Sequence, residues 1–180
     1  MARSSVSEAR VERAMTPAVP LLLRVLRENY RGGGWHGPSV RAALDELDID
    51  GAGWRPADGR HNIWELTMHL SYTRHIMLRR MGLTAGPFPH RLTKPWWPAL
   101  PARRDRAAWL DELLLLEALH EELVAAVSGA SVALLATVRR GRALTIGMEV
   151  LGVATHDAYH AGQMNMVRRM WESGPRRSGA

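Results

Sequence analysis

Two histidines four residues apart, His156 and His160, lie near the C-terminal end of the chain. If their segment is helical, this spacing places both imidazole rings on one face, one turn apart. The other residues of that face are apolar, namely Val153, Met164, Val167 and Trp171. Imidazole rings that point into an apolar interior need either hydrogen-bond partners or a metal ion. The spacing alone leaves both explanations open, because such pairs also occur by chance and on surfaces.

A third histidine, His69, falls on the inner side of another helical pattern, beside Leu66 and Thr73. Neutral imidazole binds zinc and nickel, and three protein ligands leave coordination positions open for water or a substrate. Cysteine is absent from the chain, so a metal ion would have to be held by His, Asp or Glu. The predicted metal ligands are therefore His69, His156 and His160. The alternative is a set of hydrogen-bonded core or rim histidines.

The elements that must position these histidines are long amphipathic helices. Apolar residues recur at helical spacing over residues 17–29, 62–81, 105–127 and 145–171. Asn62 and Glu65 have the spacing of a capping box at the start of the second pattern. Almost no segment alternates as a strand does, so the sequence predicts an all-α fold of four long helices.

The connections between these helices have their own patterns. Residues 38–48 predict one additional short helix, and residues 50–59 predict a turn followed by irregular chain. Residues 86–101 contain five prolines and the adjacent Trp96 and Trp97, which predicts an ordered Pro/Trp-rich loop or lid. Residues 131–138 fit either a strand or a helical turn. The resulting domain boundaries are a lead-in over 1–16, the bundle over 17–171 and a flexible basic tail over 172–180.

The composition excludes several classes of protein. The chain has 180 residues and a net charge of +6, and Lys94 is its only lysine. Its arginines are dispersed in pairs without a dense basic run, which favours solvated helix faces over a nucleic-acid interface. No apolar run approaches the roughly 20 residues that span a bilayer. The N-terminal apolar patch is interrupted by Arg24, so no export signal is indicated and we expect a cytoplasmic protein.

Two segments resemble motifs of the DinB/YfiT-like family of metalloenzymes. Residues 156–163 (HDAYHAGQ) resemble its last-helix motif, and residues 62–70 (NIWELTMHL) resemble the motif of its second long helix. Residues 35–39 (WHGPS) and 97–101 (WPALP) also resemble segments found in members of this family. The resemblance extends over about residues 17–171, and the two histidine segments are its specific part.

The resemblance implies an up-down-down-up four-helix bundle with three metal ligands on two facing helices. Carried over by position, these ligands are His69, His156 and His160; some relatives have glutamate where this chain has His156. Characterised relatives include transferases and isomerases that use low-molecular-weight thiols such as bacillithiol or mycothiol. Bundles of this kind often pair, so the resemblance also implies a homodimer.

A divalent ion on three neutral imidazoles would lower the pKa of a bound water or thiol near neutral pH. Since the chain has no cysteine, a thiolate nucleophile would have to come from a cosubstrate. The predicted function is therefore a metal-dependent enzyme that activates a thiol or a water for attack on a small electrophilic molecule. The alternatives are a metal-dependent hydrolase and a non-catalytic stress or sensor bundle that binds a metal or ligand.

Further polar residues have predicted roles near this site. Glu65 either accepts a hydrogen bond from His69 or caps its helix. For Asp157 we expect a surface or interhelical salt bridge, and for Gln163 a hydrogen bond to another helix. Tyr159 either places its hydroxyl near the pocket or packs between helices, and packing is favoured. His120 is expected to be exposed at the surface and not to bind the metal. The large aromatic residues are expected either to line a substrate pocket or to pack in the core, namely Trp35, Trp64, Trp96 and Trp97.

Overall fold

The computed structural model describes residues 18–83 and 86–174. Within these residues the four long helices are α1 (Ala18–Arg31), α4 (Ile63–Arg80), α5 (Arg106–Ser128) and α7 (Ile146–Ser173). The short helices are α2 (Val40–Leu44), α3 (Ile49–Gly53) and α6 (Val132–Ala136). The predicted all-α class is confirmed, with one small addition, an antiparallel pair of strands β1 (Leu92–Lys94) and β2 (Trp97–Pro98). The predicted lead-in and residues 175–180 of the predicted tail lie outside the described residues.

Side-chain caps fix the starts of three long helices. Asn62, Asp105 and Thr145 each accept a hydrogen bond from the backbone N–H three residues later. At α4 the Glu65 carboxylate also accepts from the backbone N–H of Asn62, which completes the predicted capping box. Each cap satisfies a donor that the first helical turn leaves free and contributes roughly 1 kcal/mol. The start of the helix that carries His69 is therefore set locally.

The chain between α1 and α4 differs from the prediction. One short helix over residues 38–48 was expected, but α2 ends at Leu44 and Asp48 then caps a second helix, α3. The predicted turn at Asp50 and Gly51 is wrong, because Asp48 accepts a hydrogen bond from the Gly51 N–H and so starts a helical turn. A Cβ at Gly51 would lie 2.9 Å from the Trp171 Nε1 atom. Glycine at this position therefore permits the approach of α7.

Two other expectations have clear outcomes. Residues 131–138, which fit a strand or a helical turn, contain the helix α6 with Ser131 as its cap. The last helix ends at Ser173, two residues beyond the predicted end at Trp171, so the predicted tail begins inside α7. None of the helices described is both long and apolar enough to cross a bilayer.

The core consists of two apolar clusters separated along the helix axes. One includes Trp64, Trp109 and Met164, and the other includes Leu26, Leu78 and Val150. On α4 the first cluster ends at Leu70 and the second begins at Met77. The buried polar residues between or beside these clusters are His69, Ser71, Arg74, His75, His120, Asp157 and His160. The bundle therefore has a polar layer in its middle, and the predicted metal ligands belong to that layer.

Candidate metal centre

The structure brings together the three histidines that the sequence singled out. His69 comes from α4, and His156 and His160 come from successive turns of α7. The Nε2 atom of His156 lies 3.1 Å from Nε2 of His69 and 2.9 Å from Nε2 of His160. His69 and His160 are buried, and His156 is half-buried. Three ring nitrogens thus converge on one point between two helices.

Hydrogen bonds on the outer side of the rings fix which nitrogens carry protons. Nδ1 of His69 donates to the Trp96 carbonyl oxygen at 2.7 Å, and Nδ1 of His160 donates to Oε1 of Gln163 at 2.7 Å. A neutral imidazole has one N–H group, so the Nε2 atoms of both rings present lone pairs to the centre. His156 can donate a proton to only one of them at a time. At least one lone pair therefore faces the centre without a proton donor, which is the arrangement that a cation satisfies.

The ring nitrogens are also close enough for one ion. Two nitrogens that each lie about 2.0–2.1 Å from a zinc ion are at most about 4.2 Å apart. The two separations that involve His156, 3.1 and 2.9 Å, are within that limit. The third separation, between the ligand atoms of His69 and His160, is no more than 4.8 Å. The converging group that the described residues form contains these three histidines and no fourth side chain. The residues present therefore fit a three-histidine metal site.

Burial keeps the three rings neutral. Desolvation, together with the neighbouring rings, lowers the pKa of His156 to about 3 and that of His160 to about 4. The pKa of His69 is also lowered by burial, although the hydrogen bond to the Trp96 backbone opposes this shift. Neutral imidazole is the form that binds metal ions, because the lone pair is free. The cluster is thus in its ligand form at neutral pH.

The hairpin of β1 and β2 holds His69 from outside the bundle. The Trp97 ring stacks between the rings of His61 and His69, with centroid distances of 3.5 and 4.3 Å. Trp96 has a φ angle of 71°, which is unusual for a bulky residue and costs roughly 1–3 kcal/mol. In this conformation its carbonyl oxygen accepts from His69 while its ring lines a neighbouring cleft. The sequence predicted an ordered loop here, but no spacing signal linked it to His69.

A cleft of about 490 Å³ lies beside the histidine cluster and is lined by His69 and His156. Its apolar lining includes Met77, Trp96, Leu144, Met148 and Val153, and its charged lining consists of Arg80, Arg142 and Glu149. A second groove, of about 470 Å³, lies between the α2–α3 segment and α5 and contacts none of the three histidines. The chemistry of the cluster is therefore accessible from the first cleft.

Two of the predicted supporting roles need revision. Gln163 was expected to bond to another helix, but its amide oxygen bonds to His160 and its amide nitrogen donates to the Tyr159 hydroxyl at 2.9 Å. The three-residue spacing from His160 is the signal for this contact. Tyr159 was expected to pack between helices, yet its side chain is 63% exposed. Glu65 caps α4 and pairs with Arg55 and His61 instead of contacting His69.

The predictions for the other polar residues had mixed outcomes. His120 was expected at the surface, but it is fully buried and its ring stacks on Tyr30 with a centroid distance of 3.8 Å. The expected interhelical salt bridge of Asp157 is present, and it is fully buried against Arg74. Among the tryptophans, Trp64 is in the core, Trp35 is 96% exposed and Trp96 lines the cleft.

Arg74 is the main buried residue whose position was not predicted from the sequence. Its side chain is fully buried and Nη2 donates to Oδ2 of Asp157 at 2.6 Å. Arg74 lies four residues after Leu70 and four before Leu78, so an apolar stripe on α4 includes it. That position in the stripe was the available signal of burial.

Comparison with known proteins identifies a family. A family model described as the DinB superfamily matches residues 35–164, well over half of the chain and a range that contains all three histidines. Searches of curated proteins and of solved structures each returned no significant match. The matched range includes both histidine segments that resemble motifs of this family. The chain belongs to the DinB superfamily.

Proposed function

We propose that His69, His156 and His160 bind one divalent metal ion, with zinc and nickel as the leading candidates. The observation that carries this proposal is the orientation of the rings. The Trp96 carbonyl and the Gln163 amide oxygen each hold an outer N–H, so that the lone pairs of His69 and His160 point inward. Neutral imidazole nitrogens at these separations form the kind of donor set that both metals accept.

We further propose that the centre belongs to an enzyme acting on small molecules. A metal ion held by these histidines would lower the pKa of a coordinated water or thiol and would so supply a nucleophile near neutral pH. The chain has no cysteine, so a thiol would enter as a low-molecular-weight cosubstrate. Met77, Leu144 and Met148 provide apolar walls in the cleft, which would exclude bulk water from the reacting atoms.

The reaction class proposed is transfer of a thiol to an electrophilic small molecule, and hydrolysis with metal-bound water is the alternative for the same cleft. A non-catalytic metal sensor would be favoured by a fourth protein ligand that closes the coordination sphere. The converging group of described residues has three members, and two of them line a cleft of about 490 Å³. This combination supports an enzyme over a sensor.

The proposal includes an up-down-down-up arrangement of the four long helices. In its support, one apolar cluster joins Leu22, at the start of α1, to Leu78 at the end of α4. The same cluster contains Val127 at the end of α5 and Ile146 at the start of α7. Helices α1 and α7 would then run opposite to α4 and α5, which places His69 against the pair on α7.

Metal content tests the site directly. Native protein purified without a chelator is expected to contain about one equivalent of metal per chain by elemental analysis, and His160→Ala is expected to lose most of it because one of three ligands is removed. His36→Ala is the matched control, since His36 is exposed in a loop and far in sequence from the cluster. Equal metal content in the wild-type protein and His160→Ala would refute the assignment.

A second measurement separates the reaction classes. Cobalt-substituted protein is titrated with a panel of low-molecular-weight thiols while its visible absorption spectrum is recorded. A thiol that coordinates the ion is expected to change the spectrum of the wild-type protein, with His36→Ala behaving in the same way. A spectrum that no thiol changes would exclude thiol activation and leave hydrolysis as the reaction to assay.

A further inference from the structure

Two arginines share the Glu149 carboxylate at the wall of the cleft, and a third arginine is free of any such pair in the residues described. Both carboxylate oxygens of Glu149 accept hydrogen bonds from Nη2 of Arg139 at 3.0 Å. Arg80 reaches Oε1 of the same carboxylate only at 3.4 Å. Arg142 also lines the cleft, and the described part of the chain places no carboxylate within ion-pair distance of it. The wall therefore has an excess of positive charge.

The guanidinium of Arg80 is held in place although its charge is incompletely balanced. Its side chain is 18% exposed, and Cζ lies 5.5 Å from the centroid of the Trp96 ring. Burial lowers the pKa of Arg80, the attraction of Glu149 opposes this shift, and repulsion from Arg139 and Arg142 adds to it. A fixed, desolvated guanidinium with spare N–H donors provides strong recognition of an anion.

The two arginines that line the cleft come from different parts of the chain. Arg80 is the last residue of α4, whose earlier turns carry His69, and Arg142 lies in the turn before α7. The lining of the cleft thus offers three kinds of surface, namely guanidinium groups, the imidazoles of His69 and His156, and the apolar side chains of Met77, Leu144 and Met148. A small molecule with one charged end can contact all three surfaces.

We propose that this cleft binds a small organic anion whose carboxylate or phosphate group pairs with Arg80 and Arg142. The rest of the molecule lies against the apolar wall, with its reactive end toward His69 and His156. This inference rests on the proposed function, because it names the substrate class of the same cleft. The pairing of Glu149 with Arg139 makes that carboxylate a support for the arginines rather than a competitor for Arg142.

Anion binding is measured by calorimetry on the full-length protein, both metal-free and loaded with zinc, with inorganic phosphate and benzoate as probes. Arg142→Gln is the principal variant, because Arg142 is exposed and its loss leaves the buried ion pairs intact. Its Kd for the preferred probe is expected to rise about tenfold through loss of a charge-assisted hydrogen bond. Arg80→Gln is expected to weaken binding at least as much, and its thermal unfolding is measured in parallel.

The matched control is Arg169→Gln. Arg169 is exposed on α7, twenty residues after Glu149 and so about 30 Å along the helix, and its loss removes the same charge. Its Kd is expected to equal that of the wild type. The better-binding probe then identifies the group, phosphate or carboxylate, that the substrate carries.

The outcomes separate the anion site from the metal site. Binding in the metal-free protein that Arg142→Gln weakens supports the anion site, even if the protein fails to bind zinc. Binding that requires zinc and is unchanged in Arg142→Gln would place the anion on the metal and overturn the proposal. Equal weakening of binding by Arg169→Gln would show only a general effect of net charge and would overturn the proposal. The absence of binding of either probe at millimolar concentration would also overturn it.

Discussion

Two polar clusters share residues from helices α4 and α7 but differ in their charge. The histidine cluster consists of His69, His156 and His160. The second cluster, the Arg74 cluster, consists of Arg74 and Asp157 with Tyr30 and His120 beside them. Asp157 directly follows His156 in the chain, and Arg74 comes five residues after His69. These offsets rotate the side chains by about 100° and 140° around their helices, so each helix contributes to both clusters.

The Arg74 cluster contains its own opposite charges. Arg74 and Asp157 are fully buried and joined at 2.6 Å, and Cζ of Arg74 lies 5.0 Å from the Tyr30 ring centroid. Burial raises the pKa of Asp157, while the Arg74 charge opposes that shift. The histidine cluster contains neutral rings alone, with lone pairs directed at one another. Because the charges of Arg74 and Asp157 satisfy each other, the Arg74 cluster needs no ligand in the folded protein. The converging lone pairs of the histidine cluster, in contrast, indicate a bound ligand.

The largest expected effect comes from breaking the Arg74 cluster. Asp157→Ala leaves a buried guanidinium without a counter-charge, and we expect the free energy of unfolding to fall by about 3–5 kcal/mol. Urea denaturation of metal-free protein measures this change. His156→Ala, also metal-free, is expected to lower the free energy of unfolding far less, because the histidine cluster has no buried charge to leave unpaired.

A double variant provides the control for that experiment. Replacing both partners, as in Arg74→Met with Asp157→Leu, removes the buried charges together and is expected to recover much of the stability lost by Asp157→Ala. A similar loss in Asp157→Ala and His156→Ala would contradict the distinction between the two clusters.

The second prediction concerns pH and His120. Burial, with smaller contributions from Arg74, Arg31 and Arg27, lowers the pKa of His120 to about 3 in the folded protein, against about 6.5 in an unfolded chain. Between these values the unfolded state binds a proton that the folded state does not. Stability is therefore fully present above about pH 6.5 and falls with decreasing pH, by about 2 kcal/mol at pH 5.

Urea denaturation between pH 5 and 7.5 measures this dependence. The comparison is made between the wild-type protein and His120→Leu, both metal-free, so that the buried histidines of the other cluster contribute equally to each. The variant is expected to show the shallower decline on acidification. Parallel pH curves for the two proteins would show that His120 binds protons equally in its folded and unfolded states.

The sequence predicted the histidine cluster better than the Arg74 cluster, for physical reasons. Helical periodicity and the four-residue spacing within α7 are local, and they placed His156 and His160 on one face. The inward position of His69 followed from its own helix. Capping residues such as Asn62 are also local, so the start of α4 was predicted correctly.

Contacts between distant segments account for what the sequence left open. Burial of His120 depends on Tyr30, ninety residues earlier, and the orientation of His69 depends on the Trp96 carbonyl. An arginine is rarely buried unless it is paired, so Arg74 is recognisable only with Asp157 from another helix in view. The second short helix, α3, does have a local signal in its Asp48 cap, whereas the close approach of Trp171 to Gly51 is a contact with a distant segment.

The smallest expected effect on stability is at Gln163, and it gives the sharpest test of the difference between the two clusters. Gln163 is half-buried and bonds to His160 from outside the cluster, so Gln163→Leu is expected to leave the free energy of unfolding of metal-free protein within about 0.5 kcal/mol of the wild type. The same substitution frees the His160 ring from its acceptor, and zinc affinity is expected to fall about tenfold. Competition with a chromophoric chelator measures that affinity.

Gln163→Glu retains an acceptor for Nδ1 of His160 and is expected to bind zinc at least as tightly as the wild type. A side chain that only stabilised the fold would change unfolding and zinc binding together, whereas one that orients a ligand changes zinc binding alone. Equal zinc affinity in all three proteins would therefore remove Gln163 from the metal centre.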